Sequence, residues 1–151
     1  MSQQKEIIWG GELTADYDIS AMFPVGGLVG YVEGKYDADR DGTIEQNEYL
    51  PNNRITSTWH GLTYLTTSFE NGVKLRTEVE AFSGRDRVAQ KLDGVALVNV
   101  AVSKKFASGE LNAGVRNLFD TDYVNPTASA TRGADVPGLG RSFGISYTHQ
   151  F

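Results

Sequence analysis

Apolar and polar residues alternate over most of this chain. From Ile7 to Ile19 the odd positions read Ile7, Trp9, Gly11, Leu13, Ala15, Tyr17 and Ile19, and the even ones from Gly10 read Gly10, Glu12, Thr14, Asp16 and Asp18. A period of two places each set on its own face of a β-strand. Val73–Ala81 sets Val73, Leu75, Thr77, Val79 and Ala81 against Lys74, Arg76, Glu78 and Glu80. Val95–Phe106 sets Ala96, Val98, Val100 and Val102 against Leu97, Asn99, Ala101 and Ser103. Phe143–Phe151 sets Phe143, Ile145, Tyr147, His149 and Phe151 against Gly144, Ser146, Thr148 and Gln150. Leu28–Tyr36, Ile55–Phe69 and Leu111–Asn117 alternate less cleanly but have strand composition. The pattern predicts an all-β chain of about seven long strands.

The connections alternate too. Ser20–Pro24, Asn71-Gly72 and Ala107–Glu110 are short, whereas 37–53, 84–94 and 120–140 are long. Asn-Gly is the strongest two-residue hairpin signal, since both central residues of a type I′ turn need positive φ. Short turns at one end and long loops at the other describe an antiparallel meander. No linker or low-complexity tract divides residues 1–151, so one domain is expected.

A soluble β-sandwich would also alternate. Strand length argues otherwise. The strands run about nine to thirteen residues, where a tilted membrane strand needs about 9–11 and globular strands average about 5–6. Several strands carry charge on the face opposite the apolar one, as the wall of a water-filled barrel does, and the asymmetric connections fit such a barrel. Trp9, Tyr36, Trp59, Phe69, Phe106, Tyr123 and Phe151 lie near strand ends, where interfacial aromatics gather. A closed barrel in one bacterial chain needs an even strand number. Seven strands, with short turns on the periplasmic side, therefore lead us to expect the C-terminal part of a larger transmembrane β-barrel.

Composition narrows the chemistry. There are no cysteines, which excludes disulfides and thiolate sites. No apolar run reaches the roughly 18 residues of a membrane helix, and MSQQKEIIW lacks the layout of a secretion signal. The net charge is -5, and the basic face expected of a nucleic-acid binder is missing. Most of that charge sits in one segment: Asp37, Asp39, Asp41, Glu45 and Glu48 stand against Arg40 alone.

That segment, DADRDGTIEQNE, fits the twelve-residue EF-hand loop. Asp37, Asp39 and Asp41 hold positions 1, 3 and 5, Gly42 holds 6, Thr43 offers its carbonyl at 7, Ile44 is the apolar 8, Glu45 holds 9, and Glu48 is the bidentate 12. Hard oxygen donors in this number suit Ca²⁺ better than Mg²⁺. Strand composition before the loop and Pro51 after it exclude the flanking helices of an EF-hand. The expectation is a calcium loop inserted between two strands; a solvated acidic loop without metal is the plainer alternative. His60 and His149 lie on separate strands without ligand spacing, and no nucleophile–base constellation stands out, so no enzyme is expected. Arg85 and Arg87, near a long loop, are candidates to meet an anionic substrate.

Two segments carry a resemblance. LNAGVRNLFDTDY at Leu111–Tyr123 looks like the penultimate-strand signature of TonB-dependent outer-membrane receptors, and GLGRSFGISYTHQF at Gly138–Phe151 resembles their last strand. Gly30–Pro51, Asn71-Gly72 and the GRDR at Gly84–Arg87 fall in the family's usual order. The resemblance implies a share of a 22-stranded barrel in the bacterial outer membrane, taking up ferric siderophores or a similar scarce nutrient. It implies a plug domain and TonB contact in an N-terminal part of the full receptor, so this chain alone is not expected to transport. It also implies that Phe143, Ile145, Tyr147 and Phe151 form the signal read by the barrel-assembly machinery. Expected partners are outer-membrane lipid and the rest of the barrel or a second chain. The alternatives are a free-standing calcium-binding β module with a binding or adhesive role, and a small barrel completed by oligomerisation.

Overall fold

A computed structural model describes residues 5–149 except 53, 89–90, 126–127, 130–131 and 133. All seven strands are present: β1 (Glu6–Asp18), β2 (Pro24–Tyr36), β3 (Trp59–Ser68), β4 (Val73–Phe82), β5 (Val95–Phe106), β6 (Gly109–Arg116) and β7 (Ser142–His149). They form one antiparallel sheet in sequence order, with β1 and β7 as its edges. Two strand starts differ from the sequence reading by more than two residues. β2 starts at Pro24 rather than Leu28, because Gly26 and Gly27 pair with Tyr64 and Thr63 as strand residues rather than turning. β3 starts at Trp59 rather than Ile55, whose side chain is buried among the loops. Phe151 and Gln150 lie outside the described residues.

The turn at Asn71-Gly72 is also longer than a two-residue hairpin. Phe69 N–H donates to the Val73 carbonyl at 2.8 Å, and Gly72 N–H donates to the Phe69 carbonyl at 3.0 Å. Glu70, Asn71 and Gly72 thus form a three-residue loop, with only Gly72 at positive φ (80°). This is a type I turn closed by a left-handed residue, the next commonest hairpin connection.

Register sorts the side chains onto two faces, since directly paired residues share a face. Ile7, Trp9, Leu13, Ala15 and Tyr17 of β1 line up with Val25, Val29 and Tyr31 of β2. The same face continues through Trp59 and Leu65, then Leu75 and Val79, then Val98, Val100 and Val102. It ends on Val115, Ala113 and Leu111 against Phe143, Ile145 and Tyr147. The opposite face carries Glu12 and Asp16, His60 and Tyr64, Arg76, Glu78 and Glu80, Asn99, and Asn112 with Ser146. No second layer covers either face among the described residues. Leu13, Phe143 and Ile145 are exposed, and β1 and β7 are exposed along their whole lengths. Among the described residues the few buried apolar side chains are Leu50, Ile55, Leu92 and Leu97, three of them in loops.

Aromatic residues bound the apolar face at both ends. Trp9, Tyr31 and Trp59 sit toward the long loops, with Tyr31 and Trp59 rings 4.7 Å apart. Tyr17, Phe69, Phe106 and Tyr147 sit toward the short turns. Trp59 and Phe69 are ten residues apart. That span is about 33 Å of strand, or about 25 Å of layer thickness at a tilt near 40°.

On the polar face, the side chains of β3 lie across β2. Glu12, Gly30 and His60 form one row of the register, and Asp16, Gly26 and Tyr64 another. The Tyr64 hydroxyl donates to Asp16 Oδ1 at 2.5 Å, and His60 Nε2 stands 3.8 Å from Glu12. Both side chains reach β1 only because the β2 position between is glycine: a Cβ on Gly30 would meet the His60 ring, and one on Gly26 would meet Tyr64 and Asp16. Arg76 stacks on Tyr64, 3.8 Å from its ring centre, and pairs with Glu78 at 3.1 Å.

Gly30→Val is therefore expected to push His60 off Glu12 and cost about 1–3 kcal/mol. Gly144→Val, where a Cβ meets nothing within 4 Å, is expected to change stability by less than about 0.5 kcal/mol. Denaturant midpoints of the two variants check the contrast.

Candidate functional site

The candidate site is built on the long-loop end of β2. Three segments meet there. Asp37 N–H donates to the Lys5 carbonyl at 2.9 Å, Tyr36 N–H to the Glu48 carbonyl at 3.0 Å, and Leu50 N–H to the Gly34 carbonyl at 2.9 Å. Tyr49 bridges Lys35 in antiparallel fashion. The chain thus leaves β2 at Asp37 and returns to pair with it at Tyr49, so Asp37–Glu48 hangs as a closed loop from a fixed base.

Inside the loop, backbone N–H groups converge on carboxylates. Gly42 N–H donates to Asp37 Oδ2 at 2.9 Å, Asp41 N–H to Asp39 Oδ1 at 3.1 Å, and Thr43 N–H to Asp41 Oδ1 at 2.7 Å. Glu48 reaches back from position 12 and accepts from Ala38 N–H at 2.8 Å and Glu45 N–H at 2.7 Å. Gly42 turns the chain at φ 97°, which its missing side chain permits, and Lys5 Nζ donates to its carbonyl. Carboxylate oxygens of Asp37, Asp39 and Glu48 come within 4.8 Å of one another, and Asp37 is 1% exposed. Asp41 and Glu45 stand outside that group, Asp41 turned to Thr43 and Glu45 exposed like Thr43 itself. Positions 1, 3 and 12 of the motif are therefore gathered, and 5 and 9 are not. Three carboxylates this close repel, and a hard cation among them removes the repulsion.

Below the loop lies a contact that alternation alone hides. Arg85, 4% exposed, donates from Nη2 to Glu33 Oε1 at 3.3 Å and to the Leu50 carbonyl at 2.9 Å. Its Nη1 donates to Asn52 Oδ1 at 3.2 Å and to the Ile55 carbonyl. Its backbone pairs with Leu92 in both directions, at 2.7 and 2.9 Å. Glu33, 5% exposed, also accepts from Gly34 N–H at 3.0 Å and from the Thr58 hydroxyl at 3.3 Å. Burial pulls the Arg85 guanidinium below its ordinary pKa, and Glu33 pushes it back up. The arginine joins the β4–β5 loop to the β2–β3 loop that carries the acidic segment.

This placement corrects one expectation. Arg85 is interior and fully engaged, so it is not presented to a substrate. Arg87 is exposed, and its Nη1 donates to the Tyr49 hydroxyl at 3.2 Å. The sequence held a signal for the buried pair: Glu33 interrupts the apolar face of β2, and a charge there requires a partner.

Other sequence candidates have definite places. Trp59 lies on the apolar face and His60 on the polar one; His149 stands 3.4 Å from the Tyr147 hydroxyl. Phe143, Ile145 and Tyr147 share the exposed apolar side of β7, and Phe151 is outside the described residues. In the NLFD step, Asn117 is buried at φ 50°. Its amide donates to the Thr121 and Leu139 carbonyls at 2.9 and 3.2 Å and accepts from Thr121 N–H at 2.8 Å. Asp120 accepts from Arg141 N–H at 2.6 Å. The motif fastens both stems of the β6–β7 loop.

No family model matches the chain, and no curated protein does. Among solved structures it is similar to the copper transporter OprC, with a TM-score of 0.76 and 22% identity. The likeness covers 97% of this chain and 23% of that protein. The chain thus has the fold of a part of that transporter, less than a quarter of its length.

Arg85→Ala is expected to lower stability by about 3–5 kcal/mol, because Glu33 is left buried and unpaired. Arg87→Ala is expected to change it by less than about 0.5 kcal/mol. Limited proteolysis of residues 37–58 and denaturant midpoints measure both.

Proposed function

We propose that this chain forms part of the wall of a TonB-dependent uptake barrel in the bacterial outer membrane, with a calcium-ordered loop at its outer end. One observation carries the reading: an apolar face that continues across all seven strands, uncovered and bounded at both ends by aromatics. In water such a surface drives aggregation. In a bilayer it is the solvated side, and its spacing suits an apolar band of about 25 Å. The polar face then lines the lumen. The resemblance of Leu111–Tyr123 and Gly138–Phe151 to the last strands of TonB-dependent receptors supports the family. It also motivates ferric siderophores or a similar scarce nutrient as cargo. A sheet with two open edges contributes a wall segment; transport belongs to the completed barrel.

Calcium is the proposed cofactor of Asp37–Glu48. Support comes from the fit of the twelve-residue motif, from Asp37, Asp39 and Glu48 being gathered, and from the sharp turn at Gly42. The protein's part is to hold those carboxylates together against their repulsion, on the base that Lys5, Gly34 and Arg85 fix.

Two measurements check the reading. Refolding is expected to give a β spectrum and a heat-modifiable gel band in detergent or lipid only; a cooperative monomer in plain buffer would instead favour the soluble calcium module. Calcium is expected to bind with an affinity on the order of 0.1–1 mM, as in extracellular modules. By calorimetry, Asp37→Asn and Glu48→Gln are expected to weaken it more than Asp41→Asn or Glu45→Gln. Equal effects of all four would refute the gathered-ligand arrangement.

A further inference from the structure

The apolar face carries one cationic feature at its long-loop end that neither the barrel wall nor the calcium loop uses. Lys35 lies on this face, paired across from Ile7. Tyr49 bridges Lys35 and shares its side of the sheet. Lys35 Nζ stands 5.1 Å from the Tyr49 ring centre, and the Arg87 guanidinium stands 5.5 Å from it while bonding the Tyr49 hydroxyl at 3.2 Å. One ring therefore holds two cations. Among the described residues, neither has a carboxylate within 4.0 Å. Glu33, the acid nearest along this face of β2, is buried and committed to Arg85.

Depth identifies the counter-ion. Lys35 is four residues beyond Tyr31, whose ring packs on Trp59. That is about 13 Å further along the strand, or about 10 Å along the membrane normal at a tilt near 40°. Tyr and Trp mark the boundary of the hydrocarbon, so the two cations stand at headgroup level on the lipid side. Like charges gathered on one ring repel, and the ring's weak negative face offsets that only partly. A phosphate carries the compensating charge and accepts hydrogen bonds from an ammonium and a guanidinium together.

We propose that Lys35 and Arg87, gathered on Tyr49, hold the phosphate headgroup of an anionic lipid of the outer leaflet. The inference rests on the membrane reading above. It gives the wall a fixed lipid at the base of the calcium loop, since Tyr49 follows Glu48 directly.

The test uses the two tryptophans, Trp9 and Trp59, which both lie on this face near this end. The chain is inserted into phosphatidylcholine vesicles containing a minor fraction of phosphatidic acid. The bromine quencher is placed on the acyl chains of one lipid or the other. Brominated phosphatidic acid is expected to quench more than brominated phosphatidylcholine at equal mole fraction. Lys35→Gln and Arg87→Gln are each expected to lower the relative affinity about fivefold, and the double variant to abolish the excess. Tyr49→Phe, which keeps the ring but loses the bond to Arg87, is expected to fall between. Equal excess in the wild type and the double variant would overturn the proposal. So would loss of the excess to millimolar inorganic phosphate, which would mark a soluble-anion site. Insertion without any excess defeats the lipid site alone; failure to insert defeats the membrane reading and the lipid site with it.

Discussion

Among the described residues no second layer covers the sheet, so the strands hold one another through their lateral hydrogen bonds, with β1 and β7 paired on one side alone. The hydrogen-bonded ladder is then the whole framework, and each face is left to its solvent. A sandwich buries apolar side chains between two sheets. Among the described residues, this sheet turns most of its apolar side chains outward and buries Leu50, Ile55 and Leu92 in its loops and Leu97 on β5. On the membrane reading proposed above, the strand lengths and the gathering of most charge on one face both follow from that constraint, with Glu33, Lys35 and Lys104 the exceptions on the apolar face. A strand crossing an apolar layer has to be long, and its two faces cannot share a chemistry.

The long-loop end obeys a different rule. Loops over a wide sheet have little apolar surface to bury, so polar contacts position them. Arg85 takes carbonyls from Leu50 and Ile55, the amide of Asn52 and the carboxylate of Glu33. A buried ion pair of this kind adds little net stability over an apolar replacement, but losing one partner is costly. Its contribution is specificity: one guanidinium, with a planar fork of donors, fixes how two loops meet. The acidic segment inherits a fixed base from it. Asn117 does comparable work between the stems of the β6–β7 loop.

Much of this was legible in the sequence, for physical reasons. Alternation places four of the seven strands, each with one apolar and one polar side, and strand composition places the other three. It fails at the start of β2, where Gly26 and Gly27 read as a turn. Composition cannot tell a glycine that bends the chain from one that makes room for a neighbour's ring, and Gly26 is the second kind. Ile55 reads as strand because burial under a loop and burial in a sheet select the same residue. Asn71-Gly72 gives the turn's place but not its length, since Glu70 fits either connection. The acidic motif gives the ligands in order, but only folding decides which come together: Asp37, Asp39 and Glu48 do, while Asp41 serves the local backbone. Arg85 was visible as a charge near a loop, and its burial depends on Glu33, fifty-two positions away.

The rows in which Tyr64 and His60 cross glycine to reach Asp16 and Glu12 have a mechanical consequence. Each row is a transverse strut over three strands, so β1, β2 and β3 resist folding along the hydrogen-bond ladder as a panel. β7 has no such bracing at Gly144, where the space above the backbone is open. Curvature imposed on the sheet therefore concentrates toward β6 and β7, which makes that margin the compliant one and the β1–β3 margin the stiff one.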